Sequence, residues 1–176
     1  MVMFDVGLNL VTVIDNFISD EDCNQLTQWT LANYMSPYFQ PACGRISTRH
    51  TRVGVPFPNK AYSVQEKIIS TLNLHEALLA PFCDGMYSGL ARNKDEVFYE
   101  MHRDPVYVDG TYTLHCNIVT TNSADGDVYI EENGVIAMKK GRLVAYPVSE
   151  LNHEVKPSLA DGIRNLWVFG FCVTKQ

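Results

Sequence analysis

Two histidines, an aspartate and an arginine in the C-terminal half have the types and spacing to hold a metal ion and an anion. His102-Arg103-Asp104 places an imidazole and a carboxylate two residues apart, and in an extended strand such residues share one face. His153, in Leu151-Asn152-His153-Glu154-Val155, stands at the start of another expected strand. Two imidazoles and one carboxylate on one side of a divalent ion leave its opposite positions open. That is the facial set with which non-haem Fe(II) oxygenases admit a co-substrate and O2. Zinc hydrolases also use three N/O ligands, so the triad by itself leaves the metal open.

Arg164 narrows the chemistry. It follows His153 by eleven residues and sits among Ile163, Leu166, Trp167 and Val168. An arginine in such a strand is costly to bury unless an anion meets it, and the planar guanidinium fork matches a carboxylate bidentately. A dicarboxylic co-substrate could chelate the metal at one end and rest its far carboxylate on Arg164.

The elements that must position these groups can be read from periodicity and turn signals. Leu10–Phe17 reads as a strand, and Ser19-Asp20-Glu21-Asp22 as the capped, acidic start of a helix with Leu26, Trp29 and Tyr34 facing inward. A polar loop through Pro37, Pro41 and Gly44 leads to a basic stretch containing Arg45, Arg49, His50 and Arg52. A second helix is expected from about Ala61 to Leu79, with Val64, Ile68, Ile69 and Leu72 at helical spacing. Beyond Glu96 the pattern changes to short alternating runs: Val97–Met101, Tyr112–Thr120, Val128–Glu131, Gly134–Met138, Arg142–Tyr146 and Ile163–Val173. Asp109-Gly110, Asp125-Gly126, Asn133-Gly134, Lys140-Gly141 and Asp161-Gly162 mark the reversals. The expectation is an α+β chain: a single domain over 1–176, helix-rich over 1–95, with an antiparallel jelly-roll core over 96–176.

Composition sets the outer limits. A chain of 176 residues with 46% hydrophobic and 19% charged side chains fits one globular domain. The formal charge of −6 argues against a nucleic-acid partner held by net charge. No apolar run of membrane-spanning length occurs, and the opening Met1–Asp15 stretch lacks the basic start of a signal peptide. Cys23, Cys43, Cys83, Cys116 and Cys172 are an odd, scattered set without a CxxC pair, read as buried free thiols in a reducing cytoplasm.

The ordered motifs resemble the 2-oxoglutarate and Fe(II)-dependent oxygenases, specifically the prolyl 4-hydroxylase-like branch. Carrying the resemblance are Tyr99-Glu-Met-His102-Arg-Asp104, the turn Lys139-Lys140-Gly141-Arg142-Leu143-Val144-Ala145-Tyr146, His153-Glu-Val-Lys-Pro157 through Gly162-Ile-Arg164, and the opening Val13–Cys23. It spans nearly the whole chain in order. It implies a double-stranded β-helix, Fe(II) held by His102, Asp104 and His153, and 2-oxoglutarate anchored by Arg164. O2 would be the second co-substrate, with succinate and CO2 as co-products. The implied reaction is hydroxylation of an unactivated C–H in a proline-containing peptide or protein. The same chemistry on a free amino acid, small metabolite or nucleobase is the alternative, as is a catalytically silent metal-binding jelly-roll module. Asp104 favours hydroxylation over halogenation, because halogenating relatives lack the carboxylate ligand. No oligomeric state is implied. Departures fall on the second co-substrate contact. Arg92 and Asn93 stand upstream and Asn117 stands where the branch carries a tyrosine, so Tyr99 or Asn117 is expected to take that contact. The usual paired glycines before the middle strand are reduced to Asp125-Gly126-Asp127.

Several residues admit simpler readings. His102-Arg103-Asp104 matches part of a kinase catalytic loop, but Asp109 occupies the asparagine position and no glycine-rich loop exists. Thr113, His115 and Asn117 share one face, either lining the pocket or facing water. His75 is expected to be structural or on the surface, and Trp29 and Trp167 to be core. The basic stretch from Arg45 to Arg52 is read as a solvated loop or a mobile loop over the metal.

Overall fold

Ser19 starts the first helix by a reciprocal cap. Its Oγ accepts from the Asp22 N–H at 3.1 Å, while its own N–H donates to the Asp22 carboxylate at 3.4 Å. Helix α1 (Asp20–Asn33) follows, with Cys23, Leu26 and Thr30 on its buried face. Helix α2 (Asn59–Leu72) buries Ala61, Val64, Gln65 and Ile68. It ends seven residues before the expected Leu79 because Asn73 turns left-handed at φ 55° and Leu74 N–H bonds the Ile69 carbonyl at 2.9 Å. His75 lies exposed in the turn beyond. The computed structural model describes residues 11–42, 45–51, 54–91, 99–122, 126–156 and 162–175.

Twelve strands occur among the described residues. They are β1 (Thr12–Ile14), β2 (Phe39–Ala42), β3 (Arg45–Thr51), β4 (Leu78–Leu79), β5 (Met86–Ala91), β6 (Tyr99–His102), β7 (Thr111–Val119), β8 (Val128–Ile130), β9 (Gly134–Ile136), β10 (Leu143–Pro147), β11 (His153–Val155) and β12 (Arg164–Thr174). The major sheet runs β1-β10-β7-β12-β5-β3-β2, with β4 also paired to β12, and the minor sheet runs β6-β11-β8-β9. All of these named strand pairings are antiparallel. The expected α+β, double-stranded β-helix architecture is present. The residues before 95 supply more than helices, since β1 to β5 all join the major sheet.

Alternation along the long strands separates two cores. Cys116, Ile118, Leu143, Ala145, Trp167, Phe169 and Phe171 pack with Cys23, Leu26, Val64 and Ile68 of the helices. Trp29 also packs there, 5.6 Å from Trp167 between ring centroids. The opposite face sends Val119, Val144, Tyr146 and Leu166 against Val128, Ile130 and Met138. A turn fixes the join between helix and sheet. Gly141, at φ +73°, receives the Ile18 N–H on its carbonyl at 3.2 Å, and a Cβ there would lie 2.7 Å from the Ile18 carbonyl oxygen.

The basic stretch from 45 to 51 is strand rather than loop. β3 pairs with both β2 and β5, and Arg49 donates from Nη2 to the Phe39 carbonyl at 2.7 Å while lying over the Tyr34 ring. Backbone pairing on both sides overrides the polar composition. The side chains of Arg45 and His50 and all of Arg52 lie outside the described residues.

Cys23, Cys116 and Cys172 are free and buried, as expected; Cys43 and the Cys83 side chain lie outside the described residues. Burial pushes the Cys23 thiol up to about 11 and raises that of Cys116 as well. Since only the thiolate reacts, Cys23 and Cys116 should resist iodoacetamide at pH 8 in the folded protein and label on unfolding. Peptide mapping before and after denaturant checks this.

Candidate metal and oxo-acid site

Strands β6 and β11 lie side by side in the minor sheet, and their register sets His102 directly opposite His153. The two imidazole centroids are 4.4 Å apart. Each ring is oriented by its own backbone: His102 Nδ1 lies 2.6 Å from the Glu100 carbonyl and His153 Nδ1 lies 3.2 Å from that of Leu151. Donation from Nδ1 leaves the Nε2 lone pairs for a metal. Asp104 follows β6 and is held by its N–H on the Val148 carbonyl at 2.9 Å, in the turn leading to His153. Its Oδ1 lies 3.4 Å from His102 Nε2.

One ligand atom from each of His102, Asp104 and His153 falls within 4.8 Å of the others. Neighbouring donors on an ion with bonds of about 2.0–2.2 Å stand about 3 Å apart; His102 Nε2 and Asp104 Oδ1 are already near that at 3.4 Å, and side-chain rotation would draw the set onto one divalent ion. Burial holds His153 below the usual imidazole range, against the raising effect of the Leu151 carbonyl, which favours the neutral, metal-binding form.

The face of the major sheet opposite this triad decides the reading of His115. Along β7, Thr113, His115, Asn117 and Val119 point inward rather than to water. Register pairs His115 with Tyr146 and Gly170, Asn117 with Val144 and Val168, and Val119 with Leu166. His115 Nδ1 stands 3.4 Å from Asp104 Oδ2, so one carboxylate meets an imidazole at each oxygen. Burial pushes the His115 pKa down to about 4 despite Asp104, which keeps the ring neutral near pH 7. Asn117 donates to the Tyr146 hydroxyl at 3.2 Å, and the Tyr146 ring meets His153 edge-on at 5.2 Å. Farther along the same inward face of β12, Arg164 is 8% exposed and donates from Nη2 to the Gly126 carbonyl at 3.1 Å.

Two buried polar atoms on β7, Asn117 Oδ1 and His115 Nε2, have no hydrogen-bond partner among the described residues. Such atoms are costly to bury and mark places where a polar ligand or water fits. Asn117, one of the two residues expected to contact the co-substrate, thus carries a buried acceptor free for such a contact. Tyr99 pairs through its backbone with Val155; its side chain, like Arg92 and Asn93, lies outside the described residues.

Sequence reasoning did not single out Tyr146 as a site residue, nor the polar link that ties the metal loops together. Arg103 Nε donates to Asn152 Oδ1 at 3.0 Å, and Asn152 Nδ2 donates to Glu131 at 2.6 Å. Arg103 separates two of the candidate ligands and Asn152 precedes the third, so this link ties their relative positions together. Asn152→Ala should weaken Mn(II) binding about tenfold, in line with outer partners of metal ligands, without lowering the melting temperature by more than a few degrees. Titration calorimetry and thermal melts check both. The inward side of Tyr146 was legible from its i, i+2 spacing with Val144, but its contact with His153 depends on the meeting of two sheets.

No protein-family model matches the chain, and no curated protein matches it in sequence. Solved structures do match in fold. The viral collagen prolyl hydroxylase vCPH from Paramecium Bursaria Chlorella virus-1, in a 2OG complex, has a TM-score of 0.69 at 14% identity, covering 96% of this chain and 98% of that one. A prolyl hydroxylase from Trichoplax adhaerens, in complex with a peptide fragment of a hypoxia inducible factor oxygen degradation domain, has a TM-score of 0.64 at 19% identity, covering 90% and 83%. The non-heme alpha ketoglutarate dependent epimerase SnoN from nogalamycin biosynthesis has a TM-score of 0.69 at 7% identity, covering 93% and 78%. Fold and site together define a double-stranded β-helix of the kind found in 2OG-Fe(II) oxygenases. The chain's fold is similar to that of prolyl hydroxylases over nearly its full length.

Proposed function

We propose that this chain is an Fe(II)- and 2-oxoglutarate-dependent dioxygenase that hydroxylates a prolyl residue in a peptide or protein. The observation that carries the reading is the convergence of His102, Asp104 and His153 from one side of the barrel, with Arg164 buried on the facing sheet. Because the fold also serves an epimerase, these residues carry more weight than the architecture. A silent binding module would have little use for an inward, buried arginine at that place.

When bound, Fe(II) and 2-oxoglutarate supply O2 activation coupled to decarboxylation, with succinate and CO2 as co-products. The protein's own part is positional. His102, Asp104 and His153 hold the ion by one face, leaving its other positions open. Arg164 receives the far carboxylate of the oxo acid, and the Asn117–Tyr146 pair offers it a polar contact near the metal. Val119, Val144 and Leu166 belong to the apolar cluster between the two sheets, and that dry surrounding would strengthen the charge pairing at Arg164.

A proline-containing peptide as substrate is supported by the structural likeness to prolyl hydroxylases, one of them solved with a peptide. A cytoplasmic, reducing setting fits the free thiols of Cys23, Cys116 and Cys172. No helix among the described residues is long and apolar enough to cross a membrane. The test is succinate formation from 2-oxoglutarate with added Fe(II), with and without proline-containing peptides. Metal-dependent formation stimulated by such peptides is expected. Absence of any metal-dependent decay of 2-oxoglutarate would overturn the oxygenase reading, and decay without stimulation by proline peptides would overturn its prolyl half.

A further inference from the structure

We propose that Phe82, Tyr87 and Tyr107, closed at the back by Gly170 and His115, form the pocket that holds the target side chain, and that it is shaped for a compact uncharged ring such as a prolyl pyrrolidine. The proposal rests on the oxygenase reading and adds the residues that select the target. Register along β12 divides the barrel mouth. Arg164 lies toward one end of the inward face, and Val168 and Gly170 follow toward the other, where Gly170 faces His115. An oxo acid stretched from the metal to Arg164 fills the first side. A target carbon must therefore reach the metal from the other side, where His115 touches Asp104.

That second side is aromatic. Phe82 meets Tyr87, His115 and Tyr107 edge-on at centroid distances of 5.5, 5.8 and 6.0 Å. Tyr107 is 40% exposed, so the group opens to solvent within three residues of Asp104. Gly170 is required for this arrangement, because a Cβ there would lie 2.3 Å from Phe82 Cζ. His115, 7% exposed, sets its ring against Phe82, and its buried Nε2 has no hydrogen-bond partner among the described residues. With Nδ1 turned to Asp104, Nε2 is the acceptor for an N–H beside the target ring or for the hydroxyl of the product. A saturated ring packs against aromatic faces and edges without losing charge hydration, whereas an acidic side chain would meet the Asp104 charge.

The probes are two decapeptides, one of alternating Pro-Ala and one of alternating Leu-Ala, added to protein loaded with Mn(II) and 2-oxoglutarate. Tyrosines are replaced by 3-fluorotyrosine for 19F NMR, with the Tyr87 and Tyr107 signals assigned from Tyr87→Phe and Tyr107→Phe. Both signals should shift with the proline peptide and not with the leucine peptide. Phe82→Ala should weaken peptide binding about tenfold and leave 2-oxoglutarate affinity within twofold of the parent. Tyr107→Ala, at an exposed position, gives the same direction should Phe82→Ala fail to fold. If the proline peptide stimulates succinate release while neither signal moves and neither variant raises its KM, the pocket assignment falls and the oxygenase reading stands. If the proline peptide neither binds nor is turned over while 2-oxoglutarate still decays, the prolyl occupant is overturned. If 2-oxoglutarate neither binds nor decays, the oxygenase reading itself falls.

Discussion

Asp104→Ala is expected to abolish metal-dependent 2-oxoglutarate decay and to weaken Mn(II) binding by roughly a hundredfold or more, since it removes a direct ligand where losing an outer partner alone costs about 10–100-fold. Asp104 is the one negative charge in the triad, and its two oxygens serve His102 and His115 separately, each at 3.4 Å. Removing it leaves two imidazoles without a carboxylate, a much poorer site for a divalent ion. The backbone bond from Asp104 N–H to Val148 survives the substitution, so the loop should keep its course and the loss should be local. Asp104→Asn keeps the shape without the charge and should fall between parent and alanine variant. Mn(II) titration beside a thermal melt measures both effects. Parent-like affinity in Asp104→Ala would place the metal elsewhere.

Arg164→Met should act on the other ligand. Breaking a buried charge pair costs about 3–5 kcal/mol, so the dissociation constant for 2-oxoglutarate is expected to rise by roughly two to three and a half orders of magnitude. Mn(II) affinity should stay unchanged, because Arg164 lies on the major sheet, away from the minor-sheet ligands. Methionine fills much of the same volume while removing the hydrogen bond to the Gly126 carbonyl. Arg164→Lys retains charge without the planar fork and should recover part of the affinity. Titration of 2-oxoglutarate into Mn(II)-loaded protein under nitrogen separates the two ligands. Parent-like binding by the methionine variant would show that the anion rests elsewhere.

Much of the C-terminal half was legible because its information is local. Alternation with period two and Asp-Gly or Asn-Gly reversals located β6 to β10 and β12 to within a few residues, and Ser19 with Asp22 announced α1. The metal set was legible for a different reason: histidine and aspartate two apart, a distant histidine and an arginine in an apolar strand are types that seldom meet without a ligand.

Other parts were decided only in three dimensions. Met86-Tyr87-Ser88-Gly89-Leu90-Ala91 has little strand propensity, yet it is a strand because β12 and β3 pair with it on either side. The basic stretch with Arg49 became β3 for the same reason, and Asn73 stopped α2 short of Leu79. His115 could be assigned to a face by alternation, but whether that face was wet or dry depended on the minor sheet closing over it. Tyr146 and Phe82 come to the site only through contacts with His153 and His115 across the fold. The chain alone determined which residues could do chemistry, since residue type and short-range spacing are written along it. Their convergence was decided by the tertiary structure, because sheet pairing and the docking of two sheets are set by long-range burial that no local pattern contains.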